Sequence, residues 1–375
     1  MLRLSSLILL FFLTIHYLAA QRISVREMGL EIGVVPTGPK NAIIDVAGVA
    51  VGHTTLVAGD SLRTGVTAIL PHNGNLFQEK VSAAIYVGNG FGKLTGATQV
   101  EELGNLETPI VLTNTLSVAT AVQALTTYTL QQPENSEVRS VNAVVGETND
   151  GFLNDIRGRH VTEKDVLDAI SQATSDSVIQ GNVGAGTGTV CFGFKGGIGT
   201  SSRQLPDKFG GYTVGVLVQT NFGGDFMIKG VPVGATLNPY WKEQFQQKSD
   251  GSCMIVVATD APLSARNLKR LAKRAVFGLA RTGGVASNGS GDYVIAFSTA
   301  SRIVPSDVLV EKNEVVKNEN MTPLFWAAIE ATEEAILNSI FLAETMYGQQ
   351  NHVIKALPLN EVKSLMKKHG YLPSN

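Results

Sequence analysis

The residue types able to do chemistry gather at one junction, Asp250-Gly251-Ser252. The polar stretch 241–251 has no apolar periodicity and reads as an exposed loop. It runs directly into a compact β run whose first residue is Ser252. A serine hydroxyl so placed can attack the carbonyl of the residue before it. Gly251, with no Cβ, permits the strained backbone such an attack needs. Scission there leaves Ser252 carrying a free α-amine, which can act as general base for the hydroxyl of the same residue. A Gly-Ser turn before a strand is common in proteins of every kind, so taken alone the junction favours an ordinary turn.

Other chemistries find less support. The six histidines, His16, His53, His72, His160, His352 and His369, form no HExxH motif and no Cys/His cluster, so neither a metal nor another cofactor is expected. Asn288-Gly-Ser290-Gly-Asp292 lacks the leading glycine of a nucleophile elbow. Gly184-Ala-Gly186-Thr-Gly188 has no Lys-Ser/Thr in the register a phosphate loop requires, and reads as a tight turn between strands.

The elements that must position these residues are legible in outline. Residues 42–70 alternate short apolar runs with Gly and Asp and read as strands with tight turns, as do 83–92, 109–114 and 212–224. Residues 116–130 and 161–174 have helical spacing, the second with Thr162 as its N-cap. Ser264 caps an amphipathic helix with Leu268, Leu271, Ala272, Ala275, Val276 and Leu279 on one face, ended by Gly283-Gly284. A long apolar helix is predicted over 322–347 and a short one over 360–368. Strands and helices intermix throughout, which gives an α/β or α+β class. Cys191 and Cys253 form no disulfide framework and read as small buried hydrophobes.

Charge and composition narrow the partners. The net charge is −2, from 30 Lys+Arg against 32 Asp+Glu, with no basic tract, so no nucleic-acid partner is expected. At the N-terminus Arg3, the apolar run Leu7–Leu13 and the small pair Ala19-Ala20 fit a signal peptide over residues 1–20. That run is too short for a spanning helix, which needs about 20 apolar residues. The second apolar stretch, 324–343, carries Glu330, Glu333 and Glu334, which lipid would not tolerate. The mature chain is therefore expected to be exported (secreted, periplasmic or lumenal), with no membrane partner. Two sequons, at Asn288 and Asn320, are available for glycosylation.

Ten collinear segments together resemble the DmpA-type L-aminopeptidase/D-amidase-esterase family, which includes β-peptidyl aminopeptidases. They are 45–55, 65–71, 88–90, 106–118, 144–158, 181–203, 214–224, 250–263, 279–284 and 288–300. The resemblance implies an α+β, four-layer αββα sandwich, similar to N-terminal-nucleophile hydrolases but with different connectivity. It implies self-cleavage between Gly251 and Ser252 of a single catalytic domain, 21–375, into an α chain, 21–251, and a β chain, 252–375, assembled as a homotetramer of αβ units. By the same resemblance Ser252 is the nucleophile and Asn221 the oxyanion-hole amide. Ser290 and Asp292 support the nucleophile and its amine, and Glu147 binds the free ammonium of a small peptide or amino-acid amide substrate. Three positions depart from the family: Lys93 stands where an acidic residue is common, Leu116 where a histidine is common, and Asn149, at the oxyanion site, where an aromatic is common. Two alternatives share the scaffold: an amine-acceptor acyltransferase of the ornithine acetyltransferase type, and a secreted homologue without catalysis.

Overall fold

The computed structural model describes residues 22–237, 250–310 and 314–374. The predicted signal peptide and most of the polar stretch before Asp250 lie outside these residues. In chain order the strands are β1 (Ala50–Ala58), β2 (Leu62–Leu70), β3 (Val81–Gly90), β4 (Asn105–Leu106), β5 (Ile110–Asn114), β6 (Val144–Thr148), β7 (Val190–Cys191), β8 (Phe194–Lys195), β9 (Ile198–Gln204), β10 (Thr213–Asn221), β11 (Met227–Ile228), β12 (Val231–Pro232), β13 (Asp250–Thr259), β14 (Gly289–Ser298), β15 (Met346–Tyr347) and β16 (Val353–Ile354). The α-helices are α1 (Ala97–Leu103), α2 (Val118–Leu130), α3 (Glu163–Ser171), α4 (Val233–Leu237), α5 (Ala265–Arg281), α6 (Thr322–Phe341) and α7 (Leu359–Lys368).

Two sheets carry the fold. One has four strands in the order β1-β2-β5-β6, the other six in the order β4-β3-β14-β13-β10-β9. Most neighbours are antiparallel, but β5 with β6 and β13 with β14 are parallel. A parallel pair needs a crossover, and helices α2 and α5 occupy those two connections.

The period of two along each central strand sends successive side chains into different cores. On β10, Val216 and Val218 join Leu268, Leu271 and Ile336 of the α5/α6 side. Leu217, between them, joins Ile69, Leu112 and Val144 in the core between the sheets. Strand β13 divides likewise, with Ile255 and Val257 outward and Met254 and Val256 inward. On the four-stranded sheet, Val111 and Val145 face Ala121, Leu125, Val166 and Ile170 of α2 and α3. Three cores separate four layers, an αββα sandwich. Because both faces of β10 are covered, all nine of its residues are buried, and its middle, 214–218, reads as a continuous apolar run. Each such Val, Leu or Ile contributes about 1.5–3 kcal/mol by leaving water.

Local signals behave as their chemistry dictates. The Thr162 backbone N–H donates to Asp165 Oδ2 at 2.8 Å, closing a capping box at the start of α3. Ser264 Oγ accepts from Asn267 N at the start of α5. Both cysteines are buried and free, as expected. Gly199 lets α6 lie against β9, since a Cβ there would fall 1.9 Å from the Ala335 carbonyl oxygen.

Two expectations need correction. Helix α6 stops at Phe341, and residues 346–347 form β15 instead of a last helical turn. Strand β13 starts at Asp250, so Gly251 and Ser252 both lie inside the ladder. Gly251 is not among the positive-φ glycines; no left-handed strain sits there. What the glycine supplies is room, because a Cβ would come 3.3 Å from Phe222 Cα and 3.4 Å from Ser290 Oγ. Among the described residues no helix is long and apolar enough to cross a membrane. The acidic residues of α6 are buried, where Arg203 meets Glu334 at 2.7 Å and Glu330 at 3.4 Å.

Candidate active site

Register brings four of the sequence-predicted residues together. Asn221, last on β10, stands opposite Ser252 on β13. On the other flank Gly251 pairs with Ser290, Ser252 with Gly291 and Cys253 with Asp292. Three neighbouring strands thus deliver Asn221, Ser252, Ser290 and Asp292 to one end of the six-stranded sheet. All four are nearly inaccessible to solvent.

The Ser252 hydroxyl donates to the Gly251 carbonyl at 2.5 Å, while the Gly291 N–H donates to Ser252 Oγ at 3.3 Å. The hydroxyl oxygen therefore sits against the carbonyl of the peptide that joins it to Gly251. Gly291 lets the chain at Phe91 lie close against the strand, since a Cβ there would lie 2.6 Å from the Phe91 carbonyl oxygen. Burial pushes the Asp292 carboxyl up to about 6, although the neighbouring Ser290 hydroxyl and Cys253 backbone pull it down. Ser290 Oγ and Asp292 Oδ2 are buried without a hydrogen bond of ordinary geometry. Ser290 is thus close enough to bias the carboxyl but is not locked onto it. Two unmatched buried polar atoms beside a nucleophile candidate are free to engage a new group, such as an amine created at Ser252.

Asn221 is clamped from both ends. Its Oδ1 accepts from Val190 N at 2.9 Å, and its Nδ2 donates to the Asn149 carbonyl at 3.0 Å. An amide nitrogen has two N–H donors, so one remains for a developing oxyanion. Asn149 contributes through its backbone; its exposed side chain instead accepts from Gly151 N at 2.9 Å, closing a local turn.

Glu147 is buried at 3% exposure, and its Oε1 accepts from Lys93 N at 2.9 Å. The Lys93 ammonium stands 3.7 Å from the same oxygen, so the cation beside Glu147 is Lys93. The position is linked to Ser252 through short steps. Gly92 packs on both Glu147 Oε1 and Tyr293, and Tyr293 also borders Gly291, the ladder partner of Ser252.

Several participants escaped the sequence reading. Tyr293 lies between Glu147 and Asp292; burial first, then those two carboxylates, hold its phenol protonated above its usual range. Behind Asn221 lie Asp150 and Lys195, both fully buried. Asp150 accepts from Thr64 Oγ1 at 2.5 Å and Asn154 Nδ2 at 3.0 Å. Lys195 Nζ donates to the carbonyls of Gly186 at 2.9 Å and Gly196 at 2.7 Å. The turn they brace carries Val190, and Asp150 follows Asn149, so both anchors of the Asn221 amide rest on this cluster. Lys195 sits in a glycine-rich segment with no apolar periodicity, and the only hint was a lysine among glycines. A largely apolar groove of about 970 Å³ lined by Leu205, Phe209, Tyr212 and Trp326 includes none of the four clustered residues, so size alone does not mark the chemistry.

This four-layer mixed α/β fold is that of aminopeptidases with the Ntn hydrolase fold, as comparison with known proteins shows. The chain is 41% identical to the beta-peptidyl aminopeptidase BapA of Sphingosinicella microcystinivorans over 374 residues, covering 92% of each chain. The solved Burkholderia sp. beta-aminopeptidase superposes with a TM-score of 0.85 at 38% identity, covering 94% of this chain and 100% of that one. The L-aminopeptidase D-Ala-esterase/amidase of Ochrobactrum anthropi, described as a prototype for the serine aminopeptidases and a new variant of the Ntn hydrolase fold, gives 0.86 at 37%, covering 93% and 99%. Residues 41–354 match peptidase family S58, and the chain belongs to that family. It is an aminopeptidase-type hydrolase.

Proposed function

We propose that the chain cuts itself between Gly251 and Ser252 and then uses Ser252 as an N-terminal nucleophile on substrates with a free amino terminus. The observation that carries this reading is the Ser252 hydroxyl held at 2.5 Å from the Gly251 carbonyl oxygen, inside a ladder that fixes both residues. In the first step Oγ bonds to the Gly251 carbonyl carbon and gives up its proton. The C–N bond breaks, and the freed amine takes a proton. Water then hydrolyses the Gly251–Ser252 ester, leaving a carboxylate on Gly251 and both amine and hydroxyl on Ser252.

In turnover the α-amine of Ser252 takes the proton from Oγ as the oxygen attacks the substrate carbonyl. The Asn221 amide donates to the oxyanion. Ser290 and Asp292 hold the Ser252 ammonium, and Glu147 binds the substrate's ammonium by a charge-assisted hydrogen bond. The leaving amine departs protonated, and water resolves the acyl-enzyme. Export follows from the N-terminal pattern, with residues 1–20 removed, and a tetramer of αβ units follows from the family resemblance.

The test is p-nitroaniline release from amino-acid p-nitroanilides. The wild type turns over and Ser252→Ala stays at background; equal rates in the two proteins would contradict the reading.

A further inference from the structure

Lys93 changes what the ammonium site can accept. Its side chain is 53% exposed, yet its Nζ lies 3.7 Å from Glu147 Oε1, and one of its donors is taken by Thr115 Oγ1 at 2.6 Å. An ammonium carries three donors, and 3.7 Å is too long for a hydrogen bond to Glu147. Donors on Lys93 are thus left for a ligand at the mouth of the site. A substrate whose only charge is its terminal ammonium meets Glu147 with a second cation already beside it, so its attraction is partly cancelled. A substrate that also bears a carboxylate close to its ammonium matches both charges at once. Phe91 and Leu116, both exposed, are near Lys93 in sequence or beside its partner Thr115, and neither brings an opposing charge.

The geometry points to an acidic-residue specificity: Lys93 and Glu147 together select substrates whose N-terminal residue carries a carboxylate near its free ammonium, of the aspartyl or β-aspartyl kind. This inference rests on the aminopeptidase reading above, in which Glu147 binds the substrate's ammonium.

The experiment compares kcat/KM of the mature protein for alanyl-, aspartyl-, β-alanyl- and β-aspartyl-p-nitroanilide, with Lys93→Met, Lys93→Glu and Lys93→Arg. In each pair the wild type prefers the acidic member by roughly tenfold, the effect of about 1.4 kcal/mol. Lys93→Met loses that preference because acidic turnover falls while neutral turnover rises. Lys93→Glu inverts it and Lys93→Arg retains it. A wild type that favours the neutral member in both pairs overturns the inference, as does a Lys93→Met that lowers all four substrates alike. Turnover of none of them would instead sink the aminopeptidase reading, and this inference with it.

Discussion

Two groups of buried charges differ in how they are matched. Under α6, Arg203 is fully enclosed and meets Glu334 at 2.7 Å and Glu330 at 3.4 Å, while its remaining donors reach the carbonyls of Ile32 and Ser202 and the Ser201 hydroxyl. Arg26 adds a second cation on Glu334 at 2.7 Å. Behind Asn221, Asp150 and Lys195 sense each other's charge, yet each hydrogen-bonds to neutral groups instead of to its counterion. Burial pushes Asp150 up to about 7 and Lys195 down to about 7. The first group is a matched lock that ties the N-terminal segment to α6. The second has its ionisable groups shifted toward their neutral forms by burial, and its product is the orientation of one amide. Perturbed buried groups of this kind concentrate where chemistry occurs.

The contrast can be broken most forcefully at Arg203. Arg203→Met leaves Glu330 buried without its cation and Glu334 with Arg26 alone, and the protein should lose roughly 3–5 kcal/mol in denaturant unfolding. An unchanged midpoint would show that the lock is ornamental. Asn221→Ala removes what the second group positions. It should fold normally but lose roughly 10²–10³ in kcat with little change in KM, read from steady-state kinetics. A mainly KM effect would mean that Asn221 binds substrate without stabilising the transition state.

The smallest effect is on pH dependence. Asp150 has a folded value above its unfolded one, so between about 4 and 7 the folded state binds more protons and stability falls as pH rises. Lys195 has a folded value below its unfolded one, so above about 7 the unfolded state binds more protons and stability recovers toward 10.5. The pair therefore contributes a trough near neutrality. Thermal melts across pH should show it for the parent and a flatter profile for Asp150→Asn/Lys195→Met. An identical profile in both would mean the pair ionises as freely in the folded chain as in the unfolded one.

The sequence disclosed what is local. Thr162 and Ser264 marked their helices because a cap needs only its own next three residues. The Gly251-Ser252 junction was visible because a polar stretch abuts an apolar run. What stayed hidden is long-range. Lys93 finds Glu147 54 residues away, and Arg203 finds Glu334 131 residues away. No periodicity encodes such pairings. The three glutamates of α6 correctly excluded a lipid-facing helix, but the partners that each would find, Arg203 for Glu330 and Glu334 and Arg281 for Glu333, come from other elements. The strand's extension back to Asp250 was equally invisible, because its partners, Gly289 and Ser290, come from a strand some 40 residues later in the chain.

The central claim is that Ser252 becomes a chain terminus. Intact-mass measurement with N-terminal sequencing of the purified protein addresses it directly, with Ser252→Ala alongside. The account predicts two polypeptides, one beginning at Ser252, and a single uncut chain for the variant. A folded, active wild type in which the 251–252 peptide is whole would contradict it.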